Sequence, residues 1–115
     1  MTDNERIAQA VGFKPGRGVD GGLVVYARLE GDALEHWHPC DFTTDWDACE
    51  RWLVPWLADR AVIECSRKLG RWEVFMFGEM QVDCTPETWV GEAPTLAAAF
   101  CAAFIKYLDS QEAKT

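Results

Sequence analysis

The spacing of apolar residues along the chain changes several times, and each change predicts a new element. Ile7 and Val11 lie four residues apart on what we expect to be a short first helix, which Gly12 ends. Val24 to Tyr26 form an apolar centre flanked by glycine, which is typical of a strand. The predicted elements of this part are a helix over 3–11, a loop over 13–18 and a strand over 22–29.

The second predicted helix has the clearest signals. Thr44 and Asp47 have the spacing of a capping box, in which each side chain satisfies a free backbone N–H at the helix start. The apolar residues that follow share one helical face. These residues are Trp46, Cys49, Leu53, Trp56 and Leu57. Pro55 lies inside the pattern, so we expect it to kink the helix or to end it early.

Alternating residues after this helix predict three strands joined by short turns. The first strand covers 61–66, and a turn over 67–70 follows it. The second strand, 71–77, carries large apolar side chains on both faces, so we expect it at the centre of the sheet. Gly78 predicts a turn before a third strand over 79–84. Such short connections favour an antiparallel meander.

The last predicted helix covers residues 95–108, after a loop over 85–94. Its apolar residues form a stripe that we expect to be buried. They are Leu96, Ala99, Phe100, Ala103, Phe104 and Tyr107. The order of elements predicts a single α+β domain over 1–115, with an antiparallel β-sheet of about four strands and α-helices packed on it as an α/β sandwich.

Four segments resemble the phage ABA-sandwich domain family of small phage proteins. Residues 40–46 are similar to that family's Pro-Asp-Tyr/Phe-Ser-Thr-Asp lead into its main helix, although Cys40 stands where Pro is usual. Residues 72–74 resemble its aromatic strand, and 91–99 resemble its Ala-Pro lead into an alanine-rich last helix. Residues 7–13 resemble its first helix. The resemblance implies a phage or prophage origin and brings no catalytic residues, because the family has no assigned chemistry.

Acidic residues are concentrated in parts of a chain whose net charge is −8. Seven acids and no Lys or Arg occur between Glu30 and Glu50. Such a surface repels phosphate, so we expect no direct binding to nucleic acid or to anionic membranes, and it attracts a basic protein surface. The start of the chain is polar and acidic rather than signal-like, which predicts a cytoplasmic protein, in the host cytoplasm if the chain is phage-encoded.

His36, His38 and Cys40 are the sharpest candidates for chemistry, because alternate residues of an extended segment share one side. Two imidazoles and a thiolate bind Zn²⁺ in many proteins, with Asp41 or Cys84 available here as a fourth ligand. This triplet is not an established zinc spacing, so we expect no metal and no cofactor. A nucleophilic pair of Cys40 or Cys84 with either histidine is a weaker alternative. All five cysteines are expected to be reduced and packed as small apolar groups.

Tryptophans next to acidic residues are typical of a protein-binding surface. We therefore expect a non-enzymatic protein-binding module, a small acidic phage or prophage accessory protein whose partner has a basic surface. Inhibition of a host defence complex, as anti-CRISPR proteins perform it, is the leading specific hypothesis. The residues predicted to bind the partner are Glu35, Trp37, Asp41, Asp47, Glu50 and Trp52. Two alternatives stay open: a small metal- or thiol-dependent enzyme centred on residues 36–40, and a structural or oligomeric module without a ligand.

Overall fold

The computed structural model describes residues 2–17, 23–27, 36–39, 41–80 and 86–113. The chain forms two compact units, 1–41 and 42–115. Helices and antiparallel strands occur in both units, so the predicted α+β class is confirmed. The described strands form two sheets of three strands each, and the expected sheet of about four strands is therefore not confirmed.

The first unit combines one helix with a three-stranded antiparallel sheet. Its elements are α1 (Asp3–Ala10), β1 (Lys14–Arg17), β2 (Leu23–Ala27) and β3 (His36–Pro39), with strand order β1-β2-β3. The Thr2 hydroxyl caps α1 by accepting a hydrogen bond from the Glu5 N–H at 3.2 Å. The loop predicted over 13–18 is wrong, because β1 runs through it. Pro15 is tolerated there because β1 is an edge strand, where a missing N–H need not break the ladder.

The second unit begins with a continuous helical segment in three parts. These parts are α2 (Trp46–Ala48), a π-helical turn (Cys49–Leu53) and α3 (Val54–Leu57). The cap is Asp45 rather than the predicted Thr44, since the Asp45 carboxylate accepts a hydrogen bond from the Asp47 N–H at 3.0 Å. Asp45 has extended backbone angles and is the last residue before the helix. Thr44 lies one residue too early to fill this position.

Pro55 does not end the helical segment, which continues to Leu57. Proline lacks the N–H that a regular helix needs, and its ring collides with the carbonyl four residues earlier. The π-helical turn ends at Leu53, two residues before Pro55. The Val54 N–H bonds to the Cys49 carbonyl five residues back. The wider turn therefore lies where Pro55 removes the regular hydrogen bond.

The sheet of the second unit is an antiparallel meander, as the short connections predict. Its strands are β4 (Val62–Lys68), β5 (Arg71–Met80) and β6 (Pro86–Ala93), with β5 in the centre as expected. The turn between β4 and β5 contains only Leu69 and Gly70. Both have positive φ, 48° and 78°, which is the requirement of a two-residue type I′ hairpin.

Two predictions about this sheet are wrong. Gly78 makes no turn, because β5 continues through it to Met80. Residues 86–93, which lie in the predicted loop over 85–94, form β6. Residues 81–84 of the third predicted strand lie outside the described residues.

The last helix, α4 (Leu96–Ala113), packs on β5 and β6. The Thr95 hydroxyl caps it by accepting a hydrogen bond from the Ala98 N–H at 3.2 Å. The predicted stripe is buried except for Leu96, which is half-buried. Of the described helices, none has the length and apolar character needed to cross a membrane.

The helical segment packs on α4 through aromatic rings. Trp46 meets Phe100 edge-on with ring centroids 5.4 Å apart, and Trp56 lies 5.7 Å from Phe104. The predicted apolar face of this segment is therefore the one that contacts α4. The core of the unit consists mainly of the following side chains, each almost fully enclosed: Phe42, Cys49, Leu53, Leu57, Val74, Met76, Phe100 and Phe104.

Candidate functional site

Asp47 and Glu50 form an acidic pair on the outer side of the helical segment. Both side chains are exposed, and neither makes a hydrogen bond or an ion pair with another described residue. They lie three residues apart, which makes them neighbours on a helix surface, and like charges at that spacing repel one another. Among the residues that the structure describes in this unit, the pair therefore has no compensating positive partner.

The other residues predicted to bind a partner are distributed over both units. Trp52 is half-buried and follows the acidic pair in the same helical segment. Asp41 belongs to the first unit, is exposed, and accepts a hydrogen bond from the Asn4 amide at 2.8 Å. Trp37 lies in β3, also in the first unit, and Glu35 lies outside the described residues. Asp47, Glu50 and Trp52 thus lie in one helical segment.

The candidate zinc ligands are only partly described. His36 and His38 lie in β3, opposite Ala27 and Val25 of β2, so the extended backbone expected for this segment is observed. Cys40, like Cys84, lies outside the described residues. In the part of the chain that the structure describes, no three His, Cys, Asp or Glu side chains converge as metal ligands do.

The described cysteines are free thiols in two different settings. Cys49 and Cys101 are buried and both donate to the carbonyl oxygen of Phe42, at 3.0 and 3.1 Å. They pack as the predicted small apolar groups. Cys65 differs because it is exposed on β4. Desolvation by the surrounding chain raises the pKa of the Cys65 thiol, which disfavours the thiolate that a nucleophile needs.

A cleft of about 380 Å³ opens in the second unit, between the end of the helical segment, the sheet and α4. Residues from these elements and from the turn after α3 line it. They are Asp59, Arg60, Gly78, Glu87, Trp89, Tyr107 and Gln111. Its size is within the range of small-ligand sites.

Two perpendicular aromatic rings line the cleft. The centroids of Trp89 and Tyr107 are 5.0 Å apart and their planes are inclined by 88°. Trp89 also lies against Gly78 of the neighbouring strand, where a Cβ atom would come within 2.7 Å of the indole ring. The indole ring can therefore occupy this position in the cleft lining only because residue 78 has no side chain. Tyr107 is further held by an edge-on contact with Trp56.

Among the described residues that line the cleft, Arg60 is the basic one, and it already makes contacts within the chain. Its guanidinium carbon lies 4.0 Å from the centroid of the Trp56 ring, and its Nη1 donates to the Trp56 carbonyl at 2.5 Å. The two acidic residues of this lining are Asp59 and Glu87. Because Arg60 keeps its charge in these contacts, the described lining carries a net charge of −1.

Sequence reasoning misses this cleft, because it predicts a loop for the segment that contributes Glu87 and Trp89. One usable signal is present in that segment. The apolar positions Trp89, Gly91 and Ala93 alternate with Thr88, Val90 and Glu92, two of which are polar. This alternation is the period of a strand, and it places Trp89 and Gly91 on the same face.

Comparison with known proteins adds no relative: no family model, no curated protein and no solved structure matches the chain. The resemblance to phage ABA-sandwich proteins therefore stays a prediction.

Proposed function

We propose that this chain is a non-enzymatic protein-binding module that recognises a basic surface on its partner. The observation that carries the proposal is the exposed, uncompensated acidic pair of Asp47 and Glu50. A like-charged pair on one helix face slightly destabilises the helix, so folding alone gives no reason to keep Glu50 acidic. Binding to a positively charged surface would remove the repulsion.

The position of the pair within the helical segment supports this function. Asp47 lies in the first turn, where an acid also favours the positive end of the helix dipole. Glu50 lies one turn later, where the dipole effect has largely decayed. The charge of Glu50 therefore indicates an interaction outside the chain more clearly than the charge of Asp47 does.

The half-buried Trp52 supplies a second component of the proposed surface. Acidic side chains steer a basic partner into contact, whereas the affinity of most protein complexes depends on a few large side chains that exclude water. Trp52 follows Glu50 by two residues and is partly accessible. The sequence pattern also predicts that Glu35, Trp37 and Asp41 bind the partner, and that part of the proposal rests on the sequence alone.

A phage or prophage origin, and inhibition of a host defence complex, follow from the family resemblance and form the specific version of the proposal. Proteins that occupy basic nucleic-acid channels are commonly acidic, which agrees with the net charge of −8.

Affinity capture from a bacterial lysate with charge variants tests the proposal. Immobilised parent chain, Glu50→Lys and Glu64→Lys would be compared, and the captured proteins identified and quantified by mass spectrometry. Glu64 is the matched control, because it is equally exposed and acidic but lies on β4.

We expect the parent and Glu64→Lys to retain the same basic protein, and Glu50→Lys to lose it. Circular dichroism would establish that all three variants are equally folded. Equal retention of that protein by all three variants would contradict the proposal, as would the absence of any captured protein with a basic surface.

A further inference from the structure

We propose that the cleft between α3, the sheet and α4 binds the guanidinium of an arginine side chain on the partner protein. The inference rests on the proposed function and deepens it, since it names the group that the partner inserts. The observations that carry it are the concave shape, the two aromatic rings and the charge of the lining, none of which involves the acidic pair.

The shape and the aromatic lining suit a flat cation. Arginine stacks on aromatic faces better than lysine does, because its guanidinium is planar and less strongly hydrated. Trp89 is half-buried, so part of its indole stays accessible at the cleft, whereas Tyr107 is almost fully buried and packs against Trp89 at nearly a right angle. The chain itself contains this interaction beside the cleft, where the guanidinium of Arg60 lies over the Trp56 ring.

The charge of the lining selects a cation over an anion or a neutral ligand. Asp59 is exposed at the cleft and makes no hydrogen bond or ion pair with another described residue. Its carboxylate is therefore available to accept two parallel hydrogen bonds from a guanidinium. Glu87 carries a second negative charge but makes an interaction of its own within the chain, and Arg60 adds a positive charge to the lining, so Asp59 is the carboxylate on which the inference rests.

The acidic pair lies in the first part of the helical segment, and Asp59 of the cleft lies two residues after the end of that segment at Leu57. From Glu50 to Leu57 the helical segment rises by about 11 Å, at about 1.5 Å per residue. An extended peptide of about five residues covers that rise together with the two residues of the turn. A single basic strand or loop on the partner is thus long enough to meet the acidic pair and to insert an arginine into the cleft.

A titration with N-acetylarginine amide, followed by the indole N–H resonances in NMR spectra, tests the inference without the partner. The matched ligand is N-acetylcitrulline amide, which has nearly the same shape and no charge. The matched variants are Asp59→Asn in the cleft and Glu64→Gln on β4.

We expect the Trp89 resonance to shift saturably with the arginine amide, with a dissociation constant of about 1 to 10 mM, as is usual for one side chain. The citrulline amide should bind at least about fivefold more weakly, and Asp59→Asn should weaken arginine binding about threefold, in line with one exposed charge pair. Glu64→Gln should bind as the parent does.

An unshifted Trp89 resonance, or an equal response to the citrulline amide, would overturn the inference. So would a lysine amide that binds as tightly as the arginine amide. These outcomes are independent of partner capture, because the proposed function fails if no basic protein is captured or if capture does not depend on Glu50.

Discussion

Gly91 of β6 lies directly under the backbone of α4 at Ala99, with no space for a side chain between them. A Cβ atom at position 91 would overlap the Ala99 carbonyl oxygen and approach the Ala103 nitrogen to 2.5 Å. Backbone atoms cannot rotate away as a flexible side chain can. The close approach of α4 to the sheet therefore requires glycine here.

Replacing Gly91 with alanine should accordingly destabilise the second unit severely. We expect Gly91→Ala to lower the free energy of unfolding by at least about 3 kcal/mol, at the upper end of overpacking effects. Denaturant unfolding, followed by tryptophan fluorescence, measures this change in the free energy of unfolding.

Gly70→Ala is the control for that substitution, because the space around Gly70 is open and only its positive φ is unfavourable to alanine. It should cost about 1 kcal/mol. A Gly91→Ala variant as stable as Gly70→Ala would show that α4 does not approach β6 as described.

Phe100 joins α4 to the helical segment, since it is fully buried and its ring contacts Trp46 of α2 as well as Phe104 of α4 itself. Phe100→Ala should reduce the free energy of unfolding by about 3 to 5 kcal/mol because it leaves a cavity in the core. Thermal or denaturant unfolding measures the loss, and a decrease below about 1 kcal/mol would contradict the packing of α4.

Leu69 adopts a left-handed backbone conformation that a leucine tolerates poorly, and its side chain is fully exposed. Asparagine is favoured at the first position of a type I′ turn followed by glycine. We expect Leu69→Asn to stabilise the second unit by about 0.5 to 1 kcal/mol, because no packing is lost and backbone strain is relieved. A destabilised Leu69→Asn variant in equilibrium unfolding would contradict the turn assignment.

Cys65 should need a higher pH to become reactive in the folded chain than in the unfolded chain. The thiolate is the reactive form, and desolvation raises the pKa of this thiol. Alkylation by iodoacetamide, followed by mass spectrometry of the Cys65 peptide, should therefore have its midpoint at a higher pH in the folded chain than in urea. The buried Cys49 and Cys101 should react only on unfolding. A midpoint at lower pH in the folded chain would be inconsistent with the surroundings of Cys65.

Local signals predicted the long helices and the central strand well. The apolar stripes around Trp56 and Phe100 point at one another, as their spacing indicates. The central position of β5 followed from large side chains on both of its faces. These elements were predictable because burial alone sets their pattern.

The strands that were missed have sequences that local propensity disfavours. Pro15 and Gly16 in β1, and Pro86 and Gly91 in β6, are typical of loops. Their presence in strands has tertiary causes: β1 and β6 are edge strands, and Gly91 makes room for α4. Such causes cannot be found in a single segment of sequence.

The same limit applies to the candidate sites. The acidic pair was predictable because both residues lie in one short run of acids. The cleft was not, because Asp59, Trp89 and Tyr107 are distant in sequence and meet only when β6 pairs with β5 and α4 packs across them.

The association rate of the captured partner, measured at several salt concentrations, tests the central claim most directly. Exposed charges are screened within about 8 Å at physiological ionic strength, so electrostatic steering weakens as salt rises. We predict that association of the parent and of Glu64→Lys slows with added salt, and that Glu50→Lys associates at least about fivefold more slowly with a flatter salt dependence. Rates that are independent of salt, or equal for Glu50→Lys and Glu64→Lys, would contradict the claim that the acidic pair recognises a basic surface.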